Sequence, residues 1–157
     1  MKMIAIAILS LAAAIALTAG SEQKGFEVWT SSHLKALETH LSARLDAQKF
    51  AGQGLGTFGN HSFMLAHREG NGQAELHQTQ NDVFLVQSGQ ATLVVGGTLV
   101  EAKTVAQHEI RGSSISGGER KALGPGDVVH IPAGIPHQLL VDAGRQFTYF
   151  VVKIDAK

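Results

Sequence analysis

The chain has 157 residues, 13 Lys and Arg against 13 Asp and Glu, and no Cys. That length suits one domain, and a net charge of zero leaves no electrostatic footprint for nucleic acid or an anionic membrane surface. Without Cys there are no disulfides and no lipid attachment through a thiol.

The first twenty residues read as a leader. Lys2 precedes an apolar run from Met3 to Leu17, broken only by Ser10, and small residues follow at Thr18, Ala19, Gly20 and Ser21. A basic start, a short apolar stretch and a small-residue cleavage site describe a secretory signal peptide. The run is shorter than the ~20 apolar residues of a membrane-crossing helix. The expectation is therefore a leader over 1–20, a mature chain in the periplasm or outside the cell, and no stable membrane insertion after cleavage. Removing Lys2 leaves 12 of the 13 basic residues against 13 acidic ones.

Residues 30–47 carry a helical pattern. Leu34, Leu37, Leu41 and Leu45 recur at three- and four-residue intervals, which places them on one helix face. Thr30, Ser31 or Ser32 can supply the N-cap. The stripe predicts a helix on the outside of the core, and it is also a candidate dimer seam. Residues 50–59 are glycine-rich and include Gly54-x-Gly56-x-x-Gly59. Phosphate-binding turns share that spacing, but this one follows a helix and no crossover unit comes after it. The segment is expected to be a flexible connector, making 21–61 an N-terminal extension of a domain over 62–157.

From Ser62 onward the pattern is one of strands and turns. Strands are expected over 63–68, 73–77, 83–87, 91–95, 98–105, 128–132, 138–141 and 146–154, with Gly96-Gly97 as the turn of a hairpin. Residues 107–123 are polar and glycine-rich. They are expected to be a long loop, and loops of this length often serve as lids. Many short strands with one early helix indicate an all-β sandwich or barrel.

Four residues stand out for their chemistry. Glu75 and His77 are two apart, so a strand would point both to one face. Asp82 opens the next strand and shares parity with Phe84 and Val86. His137 follows Pro132-Ala133-Gly134-Ile135-Pro136, a stretch whose prolines and glycine impose a tight turn. That turn would aim His137 inward with Leu139 and Val141. Imidazoles and carboxylates converging from separate strands form the donor set of a transition-metal site. Asp82, one methylene shorter than Glu, could instead orient His77. Glu75 could be a general base rather than a ligand if its surroundings raise its pKa.

Other candidates are weaker. His33 and His40 are expected to be exposed on the helix, and His61 to lie in a loop. His67 and His130 share parity with apolar neighbours and could line a pocket. Ser113, Ser114 and Ser116 have no His-Asp pair placed around them, so a serine nucleophile is rejected.

These residues fall in two motifs. One runs Glu75-x-His77, then Asp82 after four residues and Gly89 after six more; the other runs Gly126, Pro132, Gly134 and His137. Together they resemble the double signature of the cupins over roughly 62–154. The resemblance implies a jelly-roll barrel in which two motifs supply usually three His and one Glu to a divalent metal. By position, Glu75 stands for the first His, His77 for the second, Asp82 for the Glu and His137 for the last His. Val141 sits where many cupins carry Asn. The altered set is harder and richer in oxygen, compatible with Zn, Mn or Fe(II). The resemblance also implies a homodimer.

Three functions compete. The first is a metal-dependent enzyme on a small organic molecule, of dioxygenase, isomerase or lyase type. The second is a non-catalytic module that binds a sugar, a carboxylate or a metal ion. The third is a structural role with the leucine helix as seam. Fold alone does not choose among them.

Overall fold

The structure, a computed structural model, describes residues 24–156; the leader expected over 1–20 lies outside the described residues. Among the described residues, one helix precedes thirteen strands. The helix is α1 (Ser31–Ser42). The first seven strands are β1 (Phe50–Phe58), β2 (His61–Arg68), β3 (Ala74–His77), β4 (Gln80–Gly89), β5 (Ala91–Val95), β6 (Thr98–Val100) and β7 (Lys103–Ala106). The others are β8 (Glu109–Gly112), β9 (Ser114–Ser116), β10 (Glu119–Leu123), β11 (Val128–Ile131), β12 (His137–Leu140) and β13 (Phe147–Asp155). No helix among the described residues is long and apolar enough to cross a membrane.

Two antiparallel sheets enclose the core. One has the order β1-β2-β13-β4-β11, the other β10-β5-β12-β3-β8-β7, and β6 with β9 forms a separate two-stranded ribbon. This is an all-β jelly roll. Alternation along each strand assigns its faces. On β13, Phe147, Tyr149 and Val151 turn into the core with Phe84, Leu139 and Ala66, while Thr148 and Phe150 turn the other way, toward α1. Burying side chains of this size contributes about 1.5–3 kcal/mol each.

Thr30 is the N-cap of α1, its hydroxyl accepting from the His33 amide. The leucine stripe packs on the barrel: Leu34, Leu37, Leu41 and Leu45 join Ala51, Leu65 and Phe150 in one apolar cluster. The helix is thus fastened to its own sheet, and the stripe is not a free dimer seam. Its hydrogen-bonded span ends at Ser42, short of the 47 expected, although Leu45 still reaches the cluster.

Three expectations are corrected. Residues 50–59 are no connector: Phe50–Phe58 is edge strand β1, paired along β2 with a bulge at Gly54/Gly56. Glycines hide a strand from any alternation test because they have no side chain to place. The barrel therefore begins at Phe50, not Ser62. Residues 107–123 are no loop or lid, since β8 pairs with β3, β9 with β6 and β10 with β5. These strands are short and mostly polar, β8 half-buried and β9 and β10 largely exposed, so they carry little apolar signature, and their partners decide their structure. Finally, Gly96-Gly97 does not close a hairpin. It hands the chain from β5, which pairs with β10 and β12, to β6 in the ribbon.

Candidate metal centre

The register of the sheets assembles the site. His137 on β12 and Arg111 on β8 both lie opposite Glu75 on β3, one on each side. In the facing sheet, Lys153 on β13 lies opposite Asp82 on β4. Directly opposed residues on one face stand close enough for side chains to interact. The turn over 132–136 is fastened to the same place: the Gly134 amide donates to the His77 carbonyl at 2.7 Å, and the Ala133 amide to the Asn81 side chain at 2.9 Å. Gly134 has φ +78°, a conformation that favours glycine. The motif glycine thus locks His137 beside His77.

All four sequence candidates meet. Glu75, His77 and His137 offer donor atoms that lie mutually within 4.8 Å. His137 Nε2 is 3.5 Å from Glu75 Oε1 and 3.4 Å from Asp82 Oδ2. His77 Nε2 is 3.7 Å from Glu75 Oε2 and 3.4 Å from Asp82 Oδ2. Asp82 is therefore close to both imidazoles but outside the mutually close set. His33, His40 and His130 are exposed and take no part. His67 is buried, but on the outer face of the sheet beneath α1, where it bonds to Thr148.

These donors fit a divalent ion. Two donors about 2.1 Å from one ion are at most about 4.2 Å apart, and the four spacings above fall within that limit. His137 Nδ1 lies 3.1 Å from the Ile135 carbonyl. Donating there fixes the ring and leaves Nε2 as the ligating nitrogen, as bound imidazoles usually require. Nε2 is fully buried and has no hydrogen-bond partner among the described residues. A buried polar nitrogen without a partner is costly unless something completes it. Two imidazoles with a carboxylate form a borderline donor set suited to zinc, manganese or iron.

Charges in the site hold one another. Burial alone would raise the Glu75 carboxyl, but His137, Arg111 and His77 outweigh it and lower its pKa to about 2. Burial opposes ionisation of Asp82 as well, yet His137, His77 and Lys153 keep it well below the ordinary carboxylate range. Burial would lower His137, but Asp82 and Glu75 overcome this and push it up to about 9. At 3.4–3.5 Å these contacts are long for hydrogen bonds, so the charge of the two carboxylates is the cause we favour. The general-base expectation for Glu75 required the opposite shift. Here the shift is downward, and Arg111 Nη1 holds the carboxylate at 2.5 Å.

Four further residues shape the site and were not named as site residues from sequence. Arg111 braces Glu75 and also pairs with Glu109. Lys153 donates to His77 Nε2 and to Asp82 Oδ1, each at 2.9 Å. In this arrangement its ammonium offsets the buried carboxylate. Tyr149 accepts from Arg68 Nε at 3.2 Å, and burial raises its hydroxyl pKa against the opposing effect of Arg68. The signal for Lys153 was its parity with Tyr149 and Val151; Arg111 lay in the segment misread as a loop. A cavity of about 750 Å³ opens over Glu75 and Asp82, walled by residues of both sheets.

No family model matches the sequence, and no curated protein matches it. Solved structures are similar in fold. TT1209 from Thermus thermophilus gives a TM-score of 0.53 at 20% identity, over 76% of this chain and 94% of that one. KdgF from Halomonas sp. gives 0.52 at 12% identity, over 71% and 86%. The DMSP lyase DddQ from Ruegeria pomeroyi gives 0.50 at 20% identity, over 71% of this chain and 51% of that one, so this chain spans about half its length. At these identities the likeness is one of fold, the cupin jelly roll.

Proposed function

We propose that this protein is an exported cupin that holds a divalent transition metal through Glu75, His77 and His137 and acts on a small organic molecule in the cavity above it. The observation that carries the reading is the convergence on one buried point of His137 Nε2, which makes no hydrogen bond, a second imidazole and two carboxylates, with nitrogen-to-oxygen distances of 3.4–3.7 Å. Zn, Mn and Fe(II) suit the donors. Such an ion would supply Lewis-acid polarisation of a substrate oxygen, or redox chemistry with dioxygen if it is iron. A reaction of dioxygenase, isomerase or lyase type fits either case.

The chain's own residues then have distinct roles. Arg111 keeps Glu75 ionised and aimed. Asp82 positions the two imidazoles by charge and holds Lys153 at the rim of the donor set. Tyr149 and Phe84, both buried, give the cavity aromatic wall. Export rests on the leader pattern over 1–20, and a homodimer on the resemblance to cupins. Sedimentation of the mature chain at micromolar concentration tests the dimer, and a purely monomeric boundary refutes it.

A second reading, a non-catalytic binding module, is favoured by one observation. Glu75 and Asp82 are both held far below neutrality, so neither carboxylate is suited to take a proton from substrate. Metal analysis of the mature wild type beside the His77→Ala/His137→Ala double variant tests the site itself. Stoichiometric metal in the wild type and none in a folded double variant is expected. Equal metal content in the two would sink the assignment.

A further inference from the structure

We infer that Arg68 is the binding residue for the carboxylate of an amphipathic organic acid, the substrate or ligand class of this cavity. The inference rests on the metal reading above and extends it to what the site takes.

The argument begins with how the cations of the cavity are occupied. Its lining includes Arg68, Arg111 and Lys153. Arg111 pairs with Glu75 and Glu109, and Lys153 with Asp82. Asp46, the remaining acid of the lining, accepts from the Gln48 and Phe50 amides, each at 2.9 Å. Arg68 alone has no carboxylate partner among the described residues. Yet its guanidinium is held in place. Its Cζ lies 4.4 Å from the centroid of the Phe50 ring, and Nε donates to the Tyr149 hydroxyl. Neither terminal nitrogen has a hydrogen-bond partner among the described residues. Those two nitrogens carry the parallel N–H pair that matches a carboxylate.

The backbone makes room for this arrangement. A Cβ at Gly72 would stand 3.1 Å from Arg68 Cζ and 3.3 Å from Nη1. A side chain at this position would make the guanidinium give way by a few tenths of an ångström. Gly72 is itself fastened, its amide donating to the Leu139 carbonyl and its carbonyl accepting from Gln138.

Charge and surface narrow the ligand further. The lining holds four carboxylates, Asp46, Glu75, Asp82 and Glu109, against three cations. A divalent ion turns that single negative excess into a single positive one, which suits a monoanion. Phe50, Met64, Phe84, Val105 and Val151 supply apolar wall to the same cavity that Arg68, Glu75 and Asp82 line. An organic acid with an apolar body is the molecule that meets both surfaces, and the volume lies in the range of small-molecule sites.

The test uses the zinc-loaded mature protein with two matched pairs of probes: 3-phenylpropanoate and 4-methylpentanoate, each with its primary amide, and phenyl phosphate as a dianionic control. Binding is read by calorimetry, and bound zinc is measured on the same samples. At least one acid should bind the wild type about tenfold more tightly than its amide. Arg68→Gln should erase that preference at unchanged zinc content. Gly72→Ala should weaken it by displacing the guanidinium, which covers the case in which Arg68→Gln fails to fold. Acids that bind no better than amides to the zinc-loaded wild type would overturn the inference and leave the metal reading intact. So would a preference that survives Arg68→Gln, or tighter binding of phenyl phosphate. A wild type that takes up no zinc would overturn the metal reading first, and the zinc analysis shows this directly.

Discussion

Two buried polar clusters flank the five-stranded sheet, and each contains a histidine that is 2% exposed. On the outer face, beneath α1, His67 Nδ1 lies 2.7 Å from the Thr148 hydroxyl. That hydroxyl in turn donates to Glu38 at 3.0 Å, so the ring is the donor to Thr148. Glu38 also accepts from Ser88 and from Gln87, and Glu69 stands 3.4 Å from His67 Nε2. Gln87 Oε1 is the one buried atom of this layer without a partner among the described residues. On the inner face, His137 gives Nδ1 to a backbone carbonyl and leaves Nε2 buried without a hydrogen bond, 3.5 Å from Glu75 and 3.4 Å from Asp82. Apart from the Gln87 amide oxygen, the outer cluster satisfies its own polar atoms and clasps a helix. The inner one converges on a point that the protein alone does not fill. A buried histidine says little about function until the partners of both its nitrogens are known.

The comparison breaks or sharpens under four measurements. The largest effect is expected from the histidines themselves. His137→Ala should lower metal affinity by more than about a hundredfold, whereas His67→Ala should keep wild-type stoichiometry and lose only stability. Elemental analysis and competition with a chelator decide this, and metal loss in His67→Ala would erase the distinction.

Next in size is pH. His137 is pushed up to about 9 by its carboxylate neighbours, so at neutral pH a metal must displace its proton. Apparent affinity should rise by about tenfold per pH unit from 7 toward 9 and then level off. A flat profile would contradict the assignment. The metal-free protein should show the reverse trend in stability. A raised pKa contributes stability that is complete below the unfolded value near 6.5 and is lost as pH rises through about 9. At the acid end, Glu75 is lowered to about 2, so its contribution is present above about 4.5 and disappears as pH falls through about 2.

Glu38→Ala should destabilise by about 2 kcal/mol, because it strips the acceptor from buried Thr148 and from Ser88 and Gln87. Urea denaturation measures this loss, and metal content should not change. Lys153→Met should have the smallest effect and the opposite sign. Its ammonium contacts His77 Nε2 and Asp82 Oδ1, groups that would face a bound ion. Removing that cation should tighten metal binding by about tenfold, on the order of 1.4 kcal/mol. Weaker binding in that variant would show that Lys153 supports the centre rather than competing with it.

Much of the centre was legible because it rests on short-range rules. Strand parity put Glu75 beside His77 and placed Phe84 and Val86 behind Asp82. Two prolines and a glycine announced the turn before His137. The leucine spacing announced α1. Illegible segments had no such rule to follow. β1 is rich in glycine, β8 to β10 are short and mostly polar, and Gly96-Gly97, both at positive φ, has the local form of a hairpin turn. His67 had the alternation of its inward-facing neighbours within reach but sat one position out of phase, among Leu65 and Phe63 rather than Met64 and Ala66.

By itself, the sequence determined the donors, their local geometry and the class of fold, since these follow from side-chain chemistry and from periods of two and of three to four residues. Only the tertiary structure decided which charges meet. Arg111 came to Glu75 and Lys153 to Asp82 through strand register, while Arg68 was left without an acid among the described residues. Pairings between residues tens of positions apart depend on how two sheets close over each other, and no local pattern encodes that. The same closure surrounded Glu75 with Arg111 and two histidines and lowered its pKa rather than raising it, because a pKa is set by its neighbours in space.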